Sequence, residues 1–181
     1  IYNFKSIRKE LEGYGFNFKS DTDTEVVLNA YIQWGTDCLQ KFTGMFALAI
    51  WDAKNRCILL SRDHIGIKPL YYHLKNGVLL FASELKGLMS FKDFPKDVDP
   101  EVIPLFLHYQ YIPAPRTIFR DTYKLMPGHF LILDANNFNV TIRQWNRNHK
   151  FLLQKNEDET ISYLDNLLTE VVSDHLVSDV P

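Results

Sequence analysis

The chain has 181 residues, of which 46% are hydrophobic, 14% aromatic and 23% charged, and 20 Lys and Arg face 22 Asp and Glu for a formal net charge of -2. This composition suits a globular fold with one core and part of a second, and it lacks the basic excess that drives binding to phosphate backbones or anionic membranes. The longest apolar stretch, Met45 to Trp51, is far shorter than the roughly 20 residues that span a bilayer, and no charged-then-apolar leader opens the chain. These features predict a cytoplasmic protein with no nucleic acid and no membrane partner.

In chain order, Asn3 is placed to cap a helix from about Phe4 to Leu11, with Gly13 as its stop. After the polar turn Ser20-Asp21-Thr22-Asp23, a second helix carries Val26, Val27, Ala30, Tyr31 and Trp34 at helical spacing and ends at Gly35, with Asp23 as the expected cap. The runs Met45–Trp51 and Cys57–Leu60 predict a hairpin buried on both faces. Leu70–Leu74 and Val78–Ala82 flank Asn76-Gly77, whose positive φ angles close a tight hairpin. Asp99-Pro100-Glu101 starts a helix that Pro104 shortens or kinks, and Tyr111–Pro115 reads as extended loop. A further hairpin pairs His129–Asp134 with Val140–Trp145. Residues 147–158 read as a linker, and Ile161, Leu164, Leu167, Leu168, Val171, Val172 and Leu176 draw an apolar stripe on one long helix. Antiparallel hairpins with flanking helices predict an α+β fold.

No generic catalytic signature is complete: there is no glycine-rich phosphate loop, nucleophile elbow or His-Glu-x-x-His. Cys38 and Cys57 have no partners at metal-ligand spacing and read as buried thiols, so no metal site is expected. The six histidines are scattered and read as surface or packing residues.

Five short motifs carry a resemblance. They are Ile1-Tyr2-Asn3, the stretch from Ser20 to Val26, Gly44-Met45-Phe46-Ala47, the stretch from Ser61 to Tyr72 containing Arg62-Asp63-His64-Ile65-Gly66, and Ala82-Ser83-Glu84-Leu85-Lys86. Their order resembles class II glutamine amidotransferases. Tyr111–Phe119, Lys124–His129 and the segment Asp174–Pro181 resemble the asparagine synthetase B branch in particular. The resemblance implies an N-terminal-nucleophile hydrolase sandwich, helices flanking two stacked antiparallel sheets, over residues 1–146. That sandwich would lack its N-terminal part. Residues 159–181 would then hold the first helix of an α/β ATP-pyrophosphatase synthetase domain.

In this family an N-terminal cysteine, with its own amino group as base, attacks the glutamine amide; an Asn-Gly pair forms the oxyanion hole. The released ammonia amidates aspartate with ATP and magnesium in the second domain. Neither Cys38 nor Cys57 has a free α-amino group, so no catalytic residue is assigned in this chain. The isolated chain is expected to be inactive and poorly soluble, with no cofactor of its own. A possible homodimer, a related amidotransferase acting on a surface-polysaccharide sugar, and an inactive remnant all stay open.

The resemblance makes Asp23 the ligand of the glutamine α-ammonium, a charge-assisted hydrogen bond of about 1.5–3 kcal/mol. The plainer role is a helix cap, worth about 1 kcal/mol, and one carboxylate can serve both. Arg62 and Asp63 read either as neighbours of the ammonia route or as a salt-bridged corner that fixes the loop at Gly66. Gly66 reads as a position of positive φ or close backbone approach. Ser83 and Glu84 read as a strand-to-helix junction capped by Ser83, with an interdomain role open.

Overall fold

The computed structural model describes residues 1–145 and 156–176. The expected linker therefore lies largely outside the described residues, as does the end of the Asp174–Pro181 motif. The described chain forms two compact units, one of Ile1–Gly44 with the last helix, the other running from Met45 through the last strand. No helix among the described residues is long and apolar enough to cross a membrane.

In the first unit, α1 (Phe4–Gly13) buries Ile7 and Leu11 and α2 (Asp23–Trp34) buries Val26 and Ala30. Each pair is one helical turn apart, and the two helices pack together, so the apolar stripes meet as their spacing predicts. Gly35, at φ 57°, stops α2 and leads into a 3₁₀ segment, Gly35–Lys41, that buries Cys38 and Leu39. Two expected caps are corrected. Asn3 occupies the N-cap position of α1 but makes no side-chain cap bond. The cap of α2 is Thr22, whose Oγ1 accepts from Glu25 N–H, so Asp23 is the first residue inside the helix.

The same unit holds α5 (Glu157–His175), where Asn156 Oδ1 accepts from Glu159 N–H at 2.9 Å. Ile161, Leu164, Leu168 and Val172 all stand exposed along it.

The second unit is built on two antiparallel sheets. One has the order β1 (Ala47–Asp52), β2 (Cys57–Arg62), β6 (His129–Asp134), β7 (Val140–Gln144). The other has β4 (Val78–Ala82), β3 (Tyr71–Lys75), β5 (Thr122–Lys124). Leu60, Leu131 and Leu133 of the first sheet share a core with Tyr72 of the second and with Leu70 and Leu125, so the sheets stack face to face. The three expected hairpins are present, the last with Val140–Gln144 as its second strand. Asn76 and Gly77, at φ 51° and 75°, close the β3–β4 turn as required.

One expectation for the first hairpin is corrected. Central β2 buries Leu59, Leu60 and Ser61 in succession, but β1 is an edge strand and Trp51 is exposed. The continuous buried run therefore belongs to the central strand, while the edge strand β1 buries Ile50 alone. The helix α3 (Leu85–Met89) packs against β3 and β4. Beyond it, Asp99 Oδ1 accepts from Glu101 N–H to start a 3₁₀ turn, Pro100–Val102, and Pro104 lies in the first turn of α4 (Ile103–Tyr109). Proline thus breaks the helical run where its missing N–H is tolerated.

Candidate functional site

Asp23 projects from the first turn of α2, whose N-terminus is fixed from both sides. Thr22 caps it, and Glu25 reaches back to accept from Lys19 N–H, Ser20 N–H at 2.7 Å and Ser20 Oγ at 2.6 Å. The Ser20 hydroxyl and these backbone donors hold the Glu25 carboxyl below its ordinary range. Asp23 has no part in this cap network. Its Oδ2 instead accepts from the α-nitrogen of Ile1 at 2.8 Å, an ammonium in this chain; in a longer polypeptide the same nitrogen is a peptide N–H, which donates in the same direction. Among the described residues nothing donates to Asp23 Oδ1. Asp23 keeps 45% of its side chain exposed. The carboxylate is therefore available to a ligand rather than locked in structure.

Arg62 and Asp63 form a second cluster at the end of β2. Asp63 is 1% exposed. Its Oδ1 accepts from the backbone N–H groups of Ile65, Gly66 and Ile67, and its Oδ2 from those of Lys68 and Phe46. Arg62 donates Nε to Lys68 O, one terminal nitrogen to Leu125 O and the other to Gly66 O. The two charged side chains thus bind backbone, not each other: no ion pair joins them among the described residues. The corner is fixed by hydrogen bonds, and the expected salt bridge is absent from it.

Gly66 has φ 75°, and a Cβ there would lie 2.9 Å from both Arg62 Cζ and Pro127 Cγ, which explains the glycine by conformation and by space. Beside the corner, Trp145 donates Nε1–H to Arg62 O and stacks with Phe46, while the His64 ring meets its edge at 4.5 Å between centroids.

Ser83 and Glu84 are exposed. Glu84, not Ser83, is the N-cap residue of α3, without a side-chain cap bond, and its carboxylate pairs with Lys86 Nζ at 2.7 Å. Burial pushes the Cys38 thiol up to about 12, Asp37 adding to the shift, so Cys38 is an inert thiol. Cys57 is half-buried at the start of β2. Among the described residues no group of three or more His, Cys, Asp or Glu could hold a metal ion.

Sequence reasoning missed Lys124, which donates Nζ to Ile112 O and N–H to Pro115 O; burial and the nearby Arg62 push its ammonium pKa down. Nothing in local pattern distinguishes this lysine from a surface one. It also missed the reach of Asn3, whose amide crosses to residues 41–43.

Two stacked antiparallel sheets with accompanying helices are the architecture of N-terminal-nucleophile hydrolases. The fold matches the glutamine phosphoribosylpyrophosphate amidotransferase of Bacillus subtilis complexed with ADP and GMP, at TM-score 0.56 and 17% identity, covering 82% of this chain and 28% of that one. The family model of the glutamine amidotransferase domain matches residues 1–146, and the chain belongs to that family.

Curated relatives include asparagine synthetase [glutamine-hydrolyzing] 3 of Bacillus subtilis, 33% identical across all of this chain and 29% of that protein. A putative asparagine synthetase 2 of Methanocaldococcus jannaschii is 36% identical over 75% of this chain and 26% of its own length. Amidase chyE of Penicillium rubens is 30% identical over all of this chain and 27% of that protein. The chain thus spans less than a third of the length of these relatives.

Proposed function

We propose that the chain is the glutaminase part of a glutamine-dependent asparagine synthetase, and that Asp23 binds the α-ammonium of glutamine. One observation carries the site assignment: Asp23 is held at a rigid helix start, takes no part in the cap, and already holds a nitrogen donor at 2.8 Å on one oxygen. A carboxylate in that setting recognises a primary ammonium by charge and by a directed hydrogen bond. The relatives support the wider reading.

In the parent reaction glutamine is hydrolysed to glutamate and ammonia, and the ammonia amidates aspartate with ATP. On this reading the nucleophile belongs to a part of the polypeptide outside this chain, because neither Cys38 nor Cys57 carries the free α-amino group that serves as its base. ATP and magnesium are likewise held outside it. The parent enzyme works in the cytoplasm. Residues 1–146 form the glutaminase domain, and α5, with its exposed apolar stripe, opens the synthetase domain whose core covers it. Arg62, Asp63 and Gly66 serve the fold, holding the loop that follows β2.

The test is Asp23→Ala in the complete enzyme. Glutamine-dependent synthesis should need roughly ten times more glutamine or more, the effect of losing about 1.4 kcal/mol of binding, while synthesis from ammonium salts stays as in wild type. Equal loss of both activities would refute the assignment.

A further inference from the structure

The role of Asn3 is set by three hydrogen bonds that tie the first residues across the segment 41–44. Tyr2 N–H donates to Thr43 O at 2.8 Å. Asn3 Nδ2 donates to Lys41 O at 2.8 Å, and Asn3 Oδ1 accepts from Thr43 N–H at 2.9 Å. The side-chain amide therefore acts as a substitute peptide group, pairing its donor and its acceptor with backbone two residues apart. This is the pattern by which a neighbouring strand would be held.

Gly44 completes the attachment. Its φ is 147°, and a Cβ there would lie 3.1 Å from both Ile1 Cα and Tyr2 N. Contacts that tight force the neighbour to move, and here the neighbour is main chain. The strap of residues 1–3 packs tightly against residue 44, where a side chain would push the main chain aside by a few tenths of an ångström, and Asn3 holds its register.

The consequence falls on Asp23. With the strap in place, the Ile1 nitrogen reaches Oδ2, and among the described residues Oδ1 has no donor. Thr22 and Glu25 fix α2 separately, and the strap supplies the donor on Asp23 Oδ2.

We propose that Asn3, with Gly44 as its complement, is a positioning residue for glutamine: it docks the strap so that Ile1 occupies Asp23 Oδ2 and orients Oδ1 toward the substrate α-ammonium. This rests on the reading of Asp23 as the ammonium ligand. A strap set free would let the carboxylate rotate, and displacements of about 1 Å are enough to cost large factors in a positioned site.

The experiment compares Asn3→Ala, Gly44→Ala, Asp23→Ala and the double variant Asn3→Ala/Asp23→Ala in the complete enzyme. Each is assayed with glutamine, with the glutamine analogue lacking the α-amino group, and with ammonium salts. Asn3→Ala and Gly44→Ala should each raise the KM for glutamine roughly tenfold, leave the KM for the des-amino analogue and the ammonia-dependent rate unchanged, and so narrow the preference for glutamine over the analogue. In the Asp23→Ala background, Asn3→Ala should add nothing.

If Asp23→Ala raises the glutamine KM while Asn3→Ala and Gly44→Ala, both active with ammonia, do not, the positioning role is wrong and the Asp23 assignment stands. If Asp23→Ala itself leaves the KM unchanged, the underlying assignment is wrong. If the strap variants weaken glutamine and the analogue alike, or lose ammonia-dependent synthesis as well, the strap is merely structural and the proposal fails.

Discussion

Replacing Asp63 tests whether a buried carboxylate without a paired cation holds the loop after β2. Five backbone N–H groups converge on it, with distances from 2.7 Å at Gly66 to 3.3 Å at Phe46 and Ile65. Ile65, Ile67 and Lys68 are exposed, so water can replace the carboxylate at those donors, whereas Phe46 is buried and Gly66 half-buried. Two charge-assisted bonds at about 1.5–3 kcal/mol each, partly offset by relief from burying a charge, give a cost of about 3–5 kcal/mol for Asp63→Ala. Asp63→Asn keeps an oxygen for the Oδ1 donors but turns an NH₂ toward Phe46 and Lys68 N–H, and should cost about 2–3 kcal/mol.

Urea unfolding read by tryptophan fluorescence suits the question, because Trp145 bonds Arg62 O at this corner. With a slope of about 2 kcal/mol/M, the alanine variant should lose about 1.5–2.5 M in midpoint. A loss below about 0.5 M would refute the view that this carboxylate organises the loop.

Two further outcomes follow from buried titrating groups. His73 is 3% exposed, and its Nδ1 shares a hydrogen bond of 3.0 Å with the Thr122 hydroxyl. Burial depresses the pKa of His73, and of His64 too, against the pull of Asp121 and Asp63 respectively. The unfolded imidazole, titrating near about 6.5, then binds more protons than the folded one. Stability should be full above that pH and fall as pH drops below it, with a shallower fall in His73→Phe; identical slopes would contradict the assignment. Cys38, with its thiol pushed up to about 12 by burial first and Asp37 second, should resist iodoacetamide at neutral pH until denaturant is added. Rapid alkylation of the folded protein at Cys38 would show that its burial is wrong.

Much of the fold was legible because its signals are local. Asn76-Gly77 closes one hairpin, and the helical spacing of Val26 with Ala30 marks the buried face of α2. Which strands become neighbours was not legible: β2 pairs with β6, and β3 with β5, across stretches of chain that no periodicity records. At the site, Thr22-x-x-Glu25 and Asp23 are competing cap signals one residue apart, and the threonine won because Glu25 could reach back to Lys19 and Ser20. Arg62 next to Asp63 suggests an ion pair, but Arg62 ends β2 while Asp63 opens the following loop, and each found backbone partners instead. Asn3 offers two equal uses of an amide, and only the approach of residues 41–43 chose between them.

The most direct measurement follows the amide nitrogen. The complete enzyme is given glutamine labelled with ¹⁵N at the side-chain amide, together with aspartate, ATP and magnesium. The account predicts label in the side-chain amide of asparagine, in step with glutamate release. Label found only in free ammonium, or in an acceptor other than aspartate, would contradict it.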